Sequence, residues 1–404
     1  MLNRSRLRLG AMTALLLALL LLLCTSAGAE VAEEITDRCT FEGCDADDVA
    51  LMTDGDLDTY CLVKQKNSLT ISCPEGISGV TLTLYSKVEV KKTRYYLPTV
   101  YLEVKNSQGE WESVGSWHDY LIEWLPVPEG TTEVRIRSTK KGSAFAIPDI
   151  HVYGPGEVPP EAPRWEELDK ADLMIIVAHP DDELLWFGGM LPTYAGERGL
   201  RVQVVYATSK GGRKLELLQG LWTCGVKYYP VLFDLDDKKM KTKDEMYKVW
   251  REGYFTRLLY EAVRKYKPEV VATHDFNGEY GHMAHVLTAE KVALVVKTAG
   301  DASKSPSTAK KYGAWQVKKL YVHLWEENQI HLDWTKPLSA FGGETSISVA
   351  TRALDCHVSQ VKSERGWNMS RADDYDNGLF GLYYTTVGPD EAGDDIMEHI
   401  DLTE

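Results

Sequence analysis

The sequence predicts a mainly parallel α/β domain preceded by an all-β domain of the sandwich or jelly-roll type. Three observations carry this. Before residue 155, short runs that alternate apolar and polar residues recur between turn signals. Four prolines then fall within ten residues, Gly154-Pro155-Gly156-Glu157-Val158-Pro159-Pro160-Glu161-Ala162-Pro163. After them, apolar strand-like runs alternate with amphipathic helical ones, the pattern of a parallel sheet covered by helices. A length of 404 residues exceeds one comfortable core. A composition of 44% hydrophobic and 26% charged residues is ordinary for folded chains.

Residues 1–29 read as a secretory signal. Arg4, Arg6 and Arg8 precede an apolar core from about Ala11 to Leu23, and Ala27-Gly28-Ala29 sets small residues before Glu30. An uncleaved N-terminal anchor is the competing reading. A lipoprotein is disfavoured, because Leu23 stands where a small residue should precede Cys24. The expectation is a secreted or extracytoplasmic protein, with cell-surface association open. No later run is long and apolar enough to span a bilayer. The net charge is −15, and the first 29 residues carry three arginines and no acid, so the remainder stands at −18. Such a surface argues against a nucleic-acid partner held by phosphate contacts.

Residues 30–155 form the predicted β domain. Its strand candidates are Leu69–Ser72, Val80–Tyr85, Val100–Val104, Glu133–Arg137 and Ile150–Tyr153, with a hairpin turn over Asn106–Glu110. Four cysteines fall early: Cys39, Cys44, Cys61 and Cys73. In an exported chain these suggest disulfides such as Cys39–Cys44 and Cys61–Cys73, although three pairings are open. A zinc knuckle competes, but its spacing fits only the first pair. Cys224 and Cys356 read as buried thiols or one long-range bridge. The stretch Met52-Thr53-Asp54-Gly55-Asp56-Leu57-Asp58-Thr59-Tyr60, with Ile147–Gly154 as a closing strand, resembles the discoidin-like (coagulation factor 5/8 C-type) family. That resemblance implies a β-sandwich that binds glycan or supports a neighbouring enzyme. Asp54, Asp56 and Asp58 could hold Ca²⁺ through oxygen ligands, or simply form a solvated turn.

Residues 156–167 read as a proline-stiffened linker. From 168 to 390 the α/β domain is expected. Leu173–Val177, Val202–Ala207, Tyr229–Phe233, Glu269–Thr273 and Leu320–Leu324 read as strands. Helices are expected within Leu184–Gly199, over Lys214–Trp222, as one long element over Met246–Tyr266, and over His285–Lys297. Residues 300–312 read as a Ser/Lys-rich loop, and 391–404 as an acidic tail that frays.

Chemistry concentrates at two stretches. His179-Pro180-Asp181-Asp182-Glu183 follows the first strand, and a crowd of carboxylates at a strand's carboxyl end calls for a cation. His282 and His285 lie three apart at a helix start and can face one way. Two histidines and an aspartate can supply three zinc ligands, leaving a position for water. A neighbouring carboxylate can act as general base, and another histidine can stabilise an oxyanion. Each motif alone has a plain alternative: an acidic helix start, or two helical histidines that happen to be adjacent. Both at strand ends of one domain are harder to explain that way.

Ala178-His179-Pro180-Asp181-Asp182-Glu183 together with Tyr280-Gly281-His282-Met283-Ala284-His285 resembles the PIG-L (LmbE-like) deacetylase family. Arg213-Lys214-Leu215-Glu216 and Cys224-Gly225-Val226 resemble its Arg-x-x-Glu helix and its Leu-Gly-Val turn, with Cys224 in place of the leucine. The resemblance implies a Rossmann-like fold and a zinc-dependent hydrolase that removes N-acetyl groups from N-acetylglucosamine-type sugars. It implies zinc ligands His179, Asp182 and His285, and Asp181 as general base. It further implies His282 at the oxyanion or leaving amine, Tyr280 as a mobile tyrosine that reaches the oxyanion, and Arg213 at the sugar. A salt bridge to Glu216 is the alternative for Arg213. Glu183, His274 and Asp275 read as support. His357, Trp325, Trp334 and Trp367 are weaker pocket candidates. Two alternatives stay open: an amidase acting on another acylated molecule, and a glycan-binding protein without activity.

Overall fold

The computed structural model describes residues 31–402, apart from residues 45, 56–58, 64–67, 85–86, 91–92, 97–98, 118–121, 139–144, 161, 210–212 and 362–374. The signal segment, Asp56 and Asp58 of the candidate calcium turn, and Trp367 therefore lie outside the described residues. Two compact units part between Pro163 and Arg164.

The first unit holds a five-stranded antiparallel sheet. Its order is Thr40–Glu42, Ser68–Ser72, Glu133–Ser138, Val100–Lys105 and Trp111–Trp117. A three-stranded sheet of Asp149–Tyr153, Gly79–Thr83 and Ile122–Pro126 supplies the other inner face. Leu69, Ile71, Leu102, Val134 and Ile136 of the first sheet share one core with Val80, Leu82, Ile150 and Val152 of the second. Period-2 side-chain placement explains this: alternate residues of Ser68–Ser72 are buried, and their neighbours turn outward. The hairpin at 106–110 closes as its sequence suggests, with the Asn106 N–H donating to the Glu110 carbonyl at 2.8 Å. The proline-rich stretch is not free of the β unit. Val31 forms a parallel bridge with Glu157, and Ala162 is buried beside Ala32 and Tyr153.

The second unit is built on a seven-stranded sheet. Its order is Val231–Leu232, Val202–Tyr206, Leu173–Val177, Val270–Thr273, Lys319–His323, Leu379–Thr385 and Gln329–His331. The first five strands are parallel, and Leu379–Thr385 runs antiparallel to both of its neighbours. The chain starts on Leu173–Val177, steps outward twice to one side, then returns to place Val270–Thr273 on the other. These two neighbours form a topological switch point, where connections diverge and a crevice opens at the carboxyl ends. Leu173–Val177 is buried throughout. Met174 and Ile176 meet Trp250, Phe255, Leu259 and Leu287 in one core, while the alternate residues turn to the opposite face.

Four expectations need correction. The long helix over Met246–Tyr266 is two, Lys243–Trp250 and Glu252–Tyr266, because Arg251 adopts a left-handed φ of 49° between them. The loop over 300–312 contains the helix Pro306–Tyr312. Buried Arg264 organises its start by donating to the Ser305 carbonyl and the Thr308 hydroxyl. The tail does not fray over its described residues: Ile396 and Met397 are buried, and Lys319 holds Asp390 and the Ile396 carbonyl. Lastly, Cys39 lies beside Cys73, and Cys44 beside Cys61, which is not the sequential pairing.

Candidate active site

The site lies at the switch point. Val177 ends its strand, and the chain turns sharply through His179 and Pro180 into the short helix Asp182–Leu185. Asp181 takes a φ of 104°, a left-handed conformation that L-residues avoid and that costs about 1–3 kcal/mol. Glu183 holds that turn: its Oε2 accepts the Asp181 N–H at 2.9 Å. From the next strand, Thr273 leads through the turn at Asn277–Gly281 into the helix Met283–Thr298. His282 is the N-cap of that helix, and His285 lies in its first turn.

Three donors converge there. Nδ1 of His179 lies 3.1 Å from Nε2 of His285 and 3.1 Å from Oδ2 of Asp182. Nε2 of His285 lies 3.4 Å from Oδ1 of Asp182. Donors bound tetrahedrally to zinc stand roughly 3.4 Å apart, given bonds of about 2.0–2.2 Å. The donor set therefore fits a small divalent cation. The electrostatics fit it too. Burial alone would lower His285, but Asp182 and Glu279 outweigh it and push it up to about 10. Asp182, despite burial, is held well below its ordinary value by His285 and His179. The carboxylates thus demand positive charge at the point where a metal ion and a proton compete.

Further histidines border this centre, and their hydrogen bonds separate their roles. His274 is fully buried; its Nε2 accepts the Ala178 N–H at 3.0 Å and its Nδ1 faces Glu279 at 3.2 Å. Both nitrogens are occupied, so it supports the site rather than offering a ligand. Nδ1 of His282 accepts the Ala284 N–H at 3.3 Å. Burial, then the nearby His285 and His179, lower His282 to about 2, so it is neutral. That network assigns its proton to Nε2, as a donor into the site.

Asp181 is buried. Desolvation raises it to about 7, although the Arg213 guanidinium at 3.2 Å pulls the other way. Arg213 also donates to the Pro180 carbonyl, and at 3.0 Å to Asp237. It does not pair with Glu216, which instead accepts from the Ser359 amide and hydroxyl. Tyr280 is 38% exposed and stands at the edge, its ring 5.6 Å from those of His282 and His285. All seven site residues expected from the sequence thus meet in one place. Trp325 packs on Phe276 and Tyr383, and the indole of Trp334 donates to the Asn377 carbonyl; both serve packing.

Four participants escaped the sequence reading or were undervalued by it. Glu279 receives His285 Nδ1 at 2.6 Å and stands 3.0 Å from His323 Nδ1. Asp237 lies 3.6 Å from His179 Nε2. The Trp186 indole donates to Asp182 Oδ1 at 2.9 Å. His357 is fully buried with Nε2 3.2 Å from Glu183 Oε1. Asp237 follows the third parallel strand, so its strand-end position was the available signal.

Residues 174–299 match the family model described as PIG-L, GlcNAc-PI de-N-acetylase. Over that stretch the chain is similar to the PIG-L family. A 1D-myo-inositol 2-acetamido-2-deoxy-alpha-D-glucopyranoside deacetylase of Catenulispora acidiphila is 29% identical over 197 residues, 41% of this chain and 58% of that protein. The chain therefore spans less than two thirds of that relative. A mycothiol S-conjugate amidase of Streptomyces coelicolor is 23% identical over 255 residues, 49% of this chain and 85% of that protein. Among solved structures, an N,N'-diacetylchitobiose deacetylase from Pyrococcus horikoshii is 15% identical, with a TM-score of 0.35, covering 47% of this chain and 70% of that one.

Proposed function

We propose that the PIG-L-like unit is a metal-dependent N-deacetylase. Its substrate in this reading is a glycan or glycoconjugate containing N-acetylglucosamine. The observation that carries the reading is the convergence of His179, Asp182 and His285 beside buried Asp181. The matched family description and the deacetylase names of relatives support the substrate class.

In this reading His179 Nδ1, His285 Nε2 and the Asp182 carboxylate hold zinc. When bound, such an ion supplies Lewis-acid polarisation of a carbonyl and lowers the pKa of water. The Asp181 carboxylate removes a proton from the attacking water and later returns it to the departing amine. The Nε2–H of His282 donates to the acyl oxygen as negative charge develops there, with the Tyr280 hydroxyl at the same edge. Arg213 and Asp237 offer a donor and an acceptor to sugar hydroxyls. Water adds across the amide, giving acetate and a free amine. Export through residues 1–29, and a discoidin-like first unit that binds glycan or braces the enzyme, complete the proposal.

The amidase relative favours a second reading, hydrolysis of another acylated amide by the same residues. One experiment separates these. Acetate release is measured across N-acetylglucosamine oligomers, their conjugates and unrelated acyl amides, with and without chelator. The expected result is chelator-sensitive acetate release from the sugars, reduced about 10²–10⁴-fold in Asp181→Ala. Unchanged release in that variant, or purified protein without stoichiometric metal, overturns the enzyme reading. Turnover of unrelated amides alone selects the second.

A further inference from the structure

The cysteines of the first unit form two pairs that their sequence spacing does not suggest. Thr40 pairs with Ser72, Phe41 with Ile71 and Glu42 with Thr70, in an antiparallel ladder. One rung beyond Thr40 and Ser72 stand Cys39 and Cys73. Opposite residues on antiparallel strands have Cα atoms about 4.5–5.5 Å apart. That lies inside the span of roughly 4.4–6.8 Å that a disulfide bridges.

Cys44 stands at the other end of the strand Thr40–Glu42. At about 3.3 Å per residue, Cys39 and Glu42 are already about 10 Å apart, past the disulfide limit. Gly43 then turns with a φ of 106° so close to the Ser68 carbonyl that a side chain there would collide with it. The turn delivers Cys44 to Cys61, its thiol neighbour. The short helix Ala46–Ala50 after Cys44 packs on the strand Cys61–Val63. The Thr59 hydroxyl donates to the Leu51 carbonyl at 3.2 Å and ties the end of that helix to the approach of that strand. Cys61 pairs with Ile147 in a two-stranded sheet, whereas Cys73 lies just past the strand Ser68–Ser72 and its amide donates to the Thr132 carbonyl.

We propose that Cys39–Cys73 and Cys44–Cys61 are the native disulfides of the first unit. The second is nested inside the first along the chain. Together they fasten a three-residue edge strand, whose ladder is too short to hold it strongly. Each bridge forms by thiol–disulfide exchange with a small-molecule disulfide. One cysteine thiolate attacks a sulfur of that disulfide, giving a mixed disulfide and one released thiolate. Its partner cysteine then displaces the second thiolate. The cysteine pair loses two electrons and two protons, and the small disulfide takes up both electrons. Burial, then the neighbouring thiol, push Cys39 and Cys61 up to about 12. Thiols so seldom ionised react slowly once folded, so closure belongs to folding in an oxidising compartment.

The test uses the full chain, purified reduced and refolded in a reduced/oxidised glutathione buffer. Remaining thiols are alkylated under denaturing conditions. Trypsin, Glu-C and Asp-N together cut between all four cysteines, at Glu42, Asp45 and Lys64 among other sites. The expected result is loss of alkylation at all four and two cross-linked peptide pairs, Cys39 with Cys73 and Cys44 with Cys61. Cross-links Cys39–Cys44 and Cys61–Cys73, any other pairing, or four alkylated cysteines overturn the proposal. In Cys73→Ser, Cys39 alone of the remaining three should become alkylated; alkylation of Cys61 instead overturns it. The mapping of the unsubstituted chain decides the matter even where that variant fails to fold.

Discussion

Nδ1 of His179 and Nε2 of His285 face each other at 3.1 Å, although 106 residues separate them in sequence. Two ring nitrogens so placed between carboxylates need a shared positive charge. The helix Met283–Thr298 brings the second, and the end of the central strand brings the first. Binding a cation there should couple the two elements. Adding zinc to the chelated chain should raise its thermal midpoint, by about 2.7 kcal/mol of stability at a hundred times the dissociation constant. His285→Ala should abolish that increase, as followed by calorimetry. An equal increase in the variant would place the metal elsewhere.

Glu279 is the second point of coupling. It receives His285 Nδ1 at 2.6 Å and also faces His274 and His323. The carboxylate fixes which nitrogen of His285 points inward. Glu279→Gln should therefore weaken zinc binding by about 10–100-fold with the fold retained, as read by competition with a chromophoric chelator. Unaltered affinity would reduce Glu279 to packing.

These two residues show what was legible and why. His285 stood out because it shares a helix face with His282, a local pattern. Glu279 sits in a turn at a φ of 54°, flanked by Gly278 and Gly281, where no periodicity points. His357 reaches Glu183 from 174 positions away, and Asp237 reaches His179 from a loop. Contacts between polar groups far apart in the chain leave no periodic trace in sequence. The strands fared better: burial on both faces writes continuous apolar runs such as Leu173–Val177, and burial on one face writes alternation. The helix Pro306–Tyr312 was missed because its partner is the distant Arg264, and its own residues are mostly polar. The break falls on Arg251, neither proline nor glycine, and Gly253 two residues on was its one local mark.

The C-terminal residues are anchored by a buried charge pair. Lys319 is fully buried, with Asp390 as its anionic partner and the Ile396 and Glu398 carbonyls as further acceptors. Asp390→Ala would leave the ammonium buried without a counter-charge, at about 3–5 kcal/mol. Urea denaturation should show the unfolding free energy of the second unit lowered by that amount. Lys319→Met with Asp390→Ala should recover much of the loss, because an apolar pair carries no stranded charge.

His151 gives the first unit a pH dependence of definite sign. Its Nδ1 lies 2.9 Å from Glu34 and its Nε2 2.9 Å from Asp149. Burial lowers its pKa, but Asp149 and then Glu34 outweigh that and raise it to about 9. A histidine raised on folding contributes stability that is fully present below its unfolded value of about 6.5 and lost as pH climbs through 9. After solvent screening, the loss should be on the order of 1–2 kcal/mol. Denaturation of the unsubstituted chain at pH 6 and pH 10 should show this decline for the first unit, and His151→Gln should flatten it. An NMR titration of the His151 ring with its midpoint near 6.5 would show that the carboxylates do not hold the proton.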